Sequence, residues 1–104
     1  MIKTLHLTLK KKWFDMIASG EKKEEYREIK DYWTNRLCCG LHPDLSLNPY
    51  WLVQFRNGYS KDAPTITLVC KGISIKEGNP KWGAVEGQKY FVIELGNIIA
   101  TSHE

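Results

Sequence analysis

The hydrophobic pattern changes within the first twenty residues. From Ile2 to Leu9 apolar and polar residues alternate, which is typical of a half-buried β-strand. Over Lys10–Ser19 the apolar residues cluster at helical spacing, and Gly20 follows at the point where a helix would end. We therefore predict that a strand and then a helix open the domain.

The next stretch, Glu21–Glu28, is charged at seven of eight positions, and its pattern allows two structures. A helix over Lys22–Leu37 is one, because apolar residues recur there at spacings of three and four. The other is a strand over Lys23–Ile29, followed by a short helix over Asp31–Cys38. Local periodicity is compatible with both, so this choice stays open at the level of pattern.

The second half of the chain favours strands. Trp51–Phe55 precedes a tight-turn dipeptide at 57–58, and Thr65–Ile75 is rich in β-branched residues, with Gly72 as the place for a bulge. Tyr90–Ile99 is densely apolar, which indicates an interior strand. Four or more strands with one or two short peripheral helices predict a β-rich α+β fold. Curved strands in so short a chain favour a closed or nearly closed β-barrel.

Composition sets the scale of the domain. The 104 residues are 42% hydrophobic, which suits a single domain over residues 1–104 with one core. No long apolar segment or secretory leader is visible, and three cysteines are an odd number, so we expect a soluble, cytoplasmic, membrane-free protein with reduced thiols. The net charge of +3 comes from residues 1–40, which hold nine basic and six acidic residues. An anion-binding surface is therefore expected around that segment.

The most informative segment is Gly20-Glu21-Lys22-Lys23-Glu24-Glu25-Tyr26-Arg27, which has the spacing G-x-K-x-x-E-x-R directly after the first helix. The later order of Asn57-Gly58-Tyr59, a long strand, Trp82-Gly83 and a final apolar strand agrees with it. On these residues the chain resembles the ASCH family of the PUA-like superfamily. The resemblance implies a small PUA-like β-barrel with the motif at its open cleft, and it favours the strand for residues 23–29.

The resemblance also implies a function, the binding of RNA or a nucleoside-sized ligand in the cleft. Some similar proteins are small amidohydrolases that remove an acyl group from a modified cytidine, and others are ribonucleases, so a small hydrolase is the alternative. The amidohydrolase pattern uses the motif lysine and a threonine three residues later. Here Lys22 matches, but Glu25 stands in the threonine position. A non-catalytic module that docks another protein is the third hypothesis.

The motif residues have a simple geometry if they lie on a strand. Glu25 and Arg27, two residues apart, would then point to the same face, with Cα atoms about 6.5 to 7 Å apart. Lys22 would enter from the turn after Gly20, and three charged groups in one cleft would shift one another's pKa values. We predict catalytic roles for Lys22 and Glu25, if turnover occurs. At Arg27 we predict a clamp for a planar carboxylate, a phosphate or a base edge.

Aromatic and basic residues interleave in several places, for example at Lys12-Trp13-Phe14. Such pairs stack bases and bind phosphates when they are exposed, but most aromatic side chains in a small domain belong to the core. We therefore assign ligand binding to only a few residues in addition to the motif. With Arg27, these are Asn57, Tyr59 and Trp82.

Metal and cofactor sites have little support in the sequence. Cys38, Cys39 and His42 lie close together, but no second ligand pair completes a four-ligand set. No Gly-x-Gly segment is present to hold a nucleotide cofactor. We expect neither a metal nor a cofactor.

Elemental analysis of the purified protein tests this expectation. It should find no stoichiometric zinc, and a chelator should leave the melting temperature unchanged. One molar equivalent of zinc would contradict it.

Overall fold

The structure is a computed structural model that describes residues 3–37 and 50–102, and these residues form one mixed sheet with two short helices. A 3-10 turn at Pro80–Trp82 precedes the last strand. The β-rich α+β class is as predicted. In chain order the elements are β1 (Lys3–Leu9), α1 (Lys11–Ala18), β2 (Glu24–Arg27), α2 (Asp31–Leu37), β3 (Tyr50–Asn57), β4 (Thr65–Glu77) and β5 (Lys89–Ser102).

The five described strands lie in the order β1-β3-β4-β5-β2. β1 is parallel to β3, and every other pair is antiparallel. β5 lies between β4 and β2, as expected for the densely apolar strand. The register of β4 against β5 shifts at several points between Thr67 and Gly72, so the predicted irregularity at Gly72 is part of a longer bulged region.

The sheet is open, so the closed barrel that we expected is not present among residues 3–37 and 50–102. β1 and β2 are its two edges. Two backbone carbonyl groups of the edge strand β1 are approached by arginine side chains. Arg36 Nη2 donates to the His6 carbonyl oxygen at 2.9 Å, and Arg27 Nη2 lies 3.5 Å from that of Thr8. Arginine side chains therefore provide hydrogen-bond donors to these two carbonyl oxygens of β1, which has no backbone ladder to β2.

Residues 24–27 form a strand, so the alternative of a continuous helix over Lys22–Leu37 is wrong. β2 pairs with β5, with Glu25 opposite Ile93 and Arg27 opposite Phe91. The pairing continues before the strand, where the Leu95 N–H donates to the Lys23 carbonyl oxygen at 3.0 Å. Backbone pairing with β5 therefore outweighs the helical periodicity of the sequence.

Apolar side chains pack on both faces of the sheet. On β5, Phe91, Ile93 and Leu95 belong to the main core, which also contains the leucines of β1 and the buried residues of α1. The alternate β5 residues Tyr90 and Val92 pack in a smaller cluster on the opposite face. The remaining members of this cluster are Tyr26, Ala84 and, partly buried, Trp82.

Three parts of the chain lie outside the described residues. They are the first two residues, residues 38–49 with Cys38, Cys39 and His42, and the last two residues. In the described part of the chain, no helix is long and apolar enough to cross a membrane. No group of three or more metal-ligating side chains is found within the same described ranges.

The turn after β4 gives a test of the smaller cluster. A Cβ at Gly78 would lie 2.6 Å from the Ala84 Cβ and 2.9 Å from two ring carbons of Tyr26. Tyr26 cannot move freely, because its hydroxyl donates to Glu24 Oε1 at 2.7 Å and accepts the Asn79 N–H at 2.9 Å. Gly78→Ala should therefore lower the free energy of unfolding by about 1 to 3 kcal/mol, measured by urea denaturation.

The neighbouring exposed residue provides the control for this variant. Glu77→Ala should change the free energy of unfolding by less than about 0.5 kcal/mol. If Gly78→Ala were no more destabilising than Glu77→Ala, the close packing of the turn against Tyr26 would be disproved.

Candidate functional site

A turn at the end of α1 sets the position of Lys22. Gly20 has φ of +86°, a left-handed conformation that glycine adopts without a steric cost. Its N–H donates to the Ile17 carbonyl oxygen at 3.1 Å, and the Lys22 N–H donates to that of Met16 at 3.0 Å. The chain therefore folds back along α1, and Lys22 lies beside the start of β2.

Lys22, Glu25 and Arg27 form a chain of ion pairs, which we call the charged trio. Lys22 Nζ is 2.8 Å from Glu25 Oε1, and Arg27 Nη1 donates to Glu25 Oε2. Each cation has a further anchor, since Lys22 Nζ donates to the Glu24 carbonyl oxygen and Arg27 Nη1 to that of Tyr26. Glu25 and Arg27 meet as their two-residue spacing on a strand predicts. Both oxygens of the Glu25 carboxylate are thus used by cations.

Burial differs along the trio. The side chain of Lys22 is 0% exposed and that of Glu25 is 7% exposed, whereas Arg27 keeps 16% of its side chain accessible. The Lys22 ammonium lies 5.0 Å from the centre of the Tyr26 ring and 5.6 Å from that of Trp13. The trio therefore runs from the protein interior at Lys22 to the surface at Arg27.

Burial lowers the pKa of Lys22 below its ordinary value, because the charged ammonium loses its hydration. The positive charge of Arg27 acts in the same direction, while the carboxylate of Glu25 opposes both. Burial also raises the pKa of the Tyr26 hydroxyl, and its hydrogen bond to Glu24 adds to this shift. Tyr26 consequently stays a neutral donor to Glu24.

A cleft of about 250 Å³ opens beside the exposed end of the trio. Residues 25–27 of β2 form part of its wall, and the other groups come from residues 8–10, from α1 and from residues 82–83 at the end of the 3-10 turn. The side chains most relevant to binding are those of Lys10, Trp13 and Trp82. This wall combines two cations with two tryptophan rings, which suits a ligand that has an anionic and a planar part.

The six predicted site residues fall into four groups. Glu25, Arg27 and Trp82 line the cleft, and Lys22 lies behind Glu25, away from its lining. Tyr59 is 89% exposed and lines a neighbouring depression. Asn57 lines neither of these two cavities, and its N–H donates to the Pro64 carbonyl oxygen at 2.9 Å at the end of β3.

Trp13 was not among the predicted site residues, and Lys10 was expected only as part of the basic excess of residues 1–40. Trp13 lies on the apolar face of α1, and it reaches the cleft because that face packs beside Gly83, whose Cβ would lie 3.0 Å from the Trp13 ring. For Trp13, the only local signal was the interleaving of lysine and tryptophan at 12–13. Periodicity alone could not distinguish a core tryptophan from one that also forms a cleft wall.

Comparison of the chain with protein-family models, with curated proteins and with solved structures found no match. The interpretation of the site therefore rests on its own geometry. The site is defined by the charged trio, the cleft and its aromatic walls.

The pH dependence of stability tests the environment of Lys22. Between the lowered native pKa of Lys22 and its ordinary value of 10.5, the unfolded chain binds more protons at this residue than the native protein. The free energy of unfolding, relative to a Lys22→Met variant, should therefore rise as the pH rises from the lowered native pKa towards 10.5, by at most about 1.4 kcal/mol per pH unit.

The measurement is urea denaturation of both proteins at several pH values in this range. Titratable groups that both proteins contain contribute equally to both free energies of unfolding. The slope of the difference against pH therefore reports the titration of Lys22. A difference that falls as the pH rises would mean that the attraction of Glu25 exceeds the effect of burial, and it would contradict a lowered pKa for Lys22.

Proposed function

We propose that the protein is an ASCH-like domain that binds RNA or a nucleoside-sized ligand in the cleft beside the charged trio. The observation that carries the proposal is the position of Arg27. Its guanidinium is held by Glu25 at the wall of a cleft that also contains Trp13 and Trp82. The G-x-K-x-x-E-x-R spacing, on which the resemblance depends, supplies all three members of the trio.

The groups around the cleft match the chemistry of a nucleotide. A guanidinium binds a phosphate or a base edge through directed hydrogen bonds, and tryptophan rings stack on bases. Lys10 adds a second positive charge to the wall. A ligand that places its phosphate near Arg27 and its base near the tryptophans would use both features at once.

The trio favours an anion because of its charge balance. Two cations share a single carboxylate, so a net charge of about +1 remains when Lys22 is protonated, and Arg27 is its accessible end. Glu25 restricts the guanidinium to one position, which lowers the entropy lost when a ligand binds. In this proposal Lys22 and Glu25 are positioning residues for Arg27.

Two alternative functions remain from the sequence. A hydrolase that uses Lys22 as nucleophile or base would gain from its lowered pKa, but the amine is wholly buried and already bonded to Glu25. A protein-docking module would need Lys22 and Arg27 on a convex surface, whereas Arg27 lines a cleft. The burial of Lys22 therefore disfavours the hydrolase, and the cleft disfavours the docking module.

Calorimetric titration with cytidine 5′-monophosphate and with short single-stranded RNA tests the proposal. Arg27→Ala should weaken binding about 10- to 100-fold, because a charge-assisted hydrogen bond is lost. The variant should fold, since Glu25 keeps its ion pair with Lys22. RNA affinity should also fall as salt rises.

Lys71→Ala is a matched control, because it removes a positive charge from β4 that does not line the cleft. Its affinity should equal that of the wild type. No binding by the wild type, or equal losses in the two variants, would contradict the proposal. Deacylation of an acylated cytidine that disappears in Lys22→Met would instead support the hydrolase.

A further inference from the structure

A second depression, of about 350 Å³, adjoins the cleft at Arg27 and Thr8, which line both cavities. Its other walls come from β1, from α2 and from the loop after β3. The side chains that define it are His6, Tyr32, Trp33, Arg36 and Tyr59. The two cavities therefore form one continuous surface with Arg27 at the boundary.

The arginine side chains of this depression contact the Trp33 ring and backbone carbonyl groups. The guanidinium carbons of Arg27 and Arg36 lie 5.2 and 6.0 Å from the centre of the Trp33 ring. Arg36 also donates to the His6 carbonyl oxygen at 2.9 Å and lies 3.4 Å from the Tyr32 hydroxyl. No carboxylate pairs with Arg36 among the described residues, so its charge is available to an anion.

Two tyrosine rings of the depression are open to solvent. Tyr59 is 89% exposed and Tyr32 is 59% exposed. Tyr32 makes an edge-to-face contact with Trp33, with ring centres 4.8 Å apart. Exposed aromatic rings next to arginines are the combination that binds single-stranded nucleic acid through base stacking and phosphate contacts.

We propose that this depression is a second nucleotide subsite, so that the protein recognises at least two consecutive nucleotides of single-stranded RNA. This inference rests on the proposed function, because the first nucleotide occupies the cleft. The linking phosphate lies at the boundary, within reach of Arg27 and Arg36. The second base stacks on the exposed rings of Tyr32 and Tyr59.

With a second subsite, the ligand class is an oligonucleotide of at least two nucleotides and not a single nucleoside. A single nucleoside would fill the cleft and leave the Arg36 side unused. An acidic peptide would bind the arginines, but it has no bases to stack on the exposed tyrosine rings. The number of bases in the ligand therefore distinguishes these possibilities.

The experiment compares two probes, pCp and pCpC. Cytidine 3′,5′-bisphosphate (pCp) has one base and two terminal phosphates, so it carries at least the negative charge of the dinucleotide pCpC. A gain in affinity from pCp to pCpC thus reports the second nucleoside rather than charge. Wild-type protein should bind pCpC at least about fivefold more tightly than pCp, which is the smallest effect expected for one stacked base.

Variants show which side chains produce this gain in affinity. In a Tyr32→Ala/Tyr59→Ala double variant the affinity ratio of pCpC to pCp should fall to about one. Trp51→Ala is the control, because it removes a 66% exposed aromatic side chain of β3 that lines neither cavity. It should keep the wild-type ratio. Melting temperatures of all proteins are measured first to verify folding.

The outcomes separate the two proposals. If pCp binds but pCpC binds no more tightly, the second subsite is disproved and the cleft remains. If the ratio falls equally in the Trp51 control and the double variant, the second base does not lie on Tyr32 and Tyr59, and the inference is also overturned. If neither probe binds, the proposed function fails and the subsite fails with it.

Discussion

The buried carboxylate of Glu25 is the group on which the site depends. It is 7% exposed and it binds Lys22 on one oxygen and Arg27 on the other. A carboxylate buried without these partners would cost several kcal/mol, and so would the Lys22 ammonium alone. Glu25 therefore links the interior of the protein, where Lys22 is held against two aromatic rings, to the cleft wall, where Arg27 meets solvent.

Arg27 also belongs to the open edge of the sheet. Its second nitrogen lies 3.5 Å from the Thr8 carbonyl oxygen, and Arg36 covers the next outward carbonyl of β1 at His6. The edge strands β1 and β2 do not pair, which leaves the sheet open. The cleft and its neighbouring depression meet between these two edges, at Thr8 and Arg27. An edge covered by side chains leaves donors and rings at the surface, which a ladder between β1 and β2 would not.

Much of the fold follows from the sequence, because alternation in β1 and helical spacing in α1 are local properties. The helix over Lys22–Leu37 was a wrong alternative because its apolar stripe combines residues with different partners: Tyr26 packs in the smaller cluster, while Leu37 packs in the main core. The contact between Glu25 and Arg27 follows from strand parity alone. The contribution of Trp13 to the cleft depends on how α1 packs against the 3-10 turn, which no local pattern encodes.

A double-mutant cycle tests the central claim most directly, that Glu25 acts on the ligand through Arg27. The affinity for cytidine 5′-monophosphate is measured for the wild type, Glu25→Gln, Arg27→Ala and the double variant. If Glu25 positions Arg27, Glu25→Gln weakens binding in the wild type but has no further effect once Arg27 is absent, so the coupling free energy is large. Equal effects of Glu25→Gln in both backgrounds would show that the two residues act independently and would contradict the account.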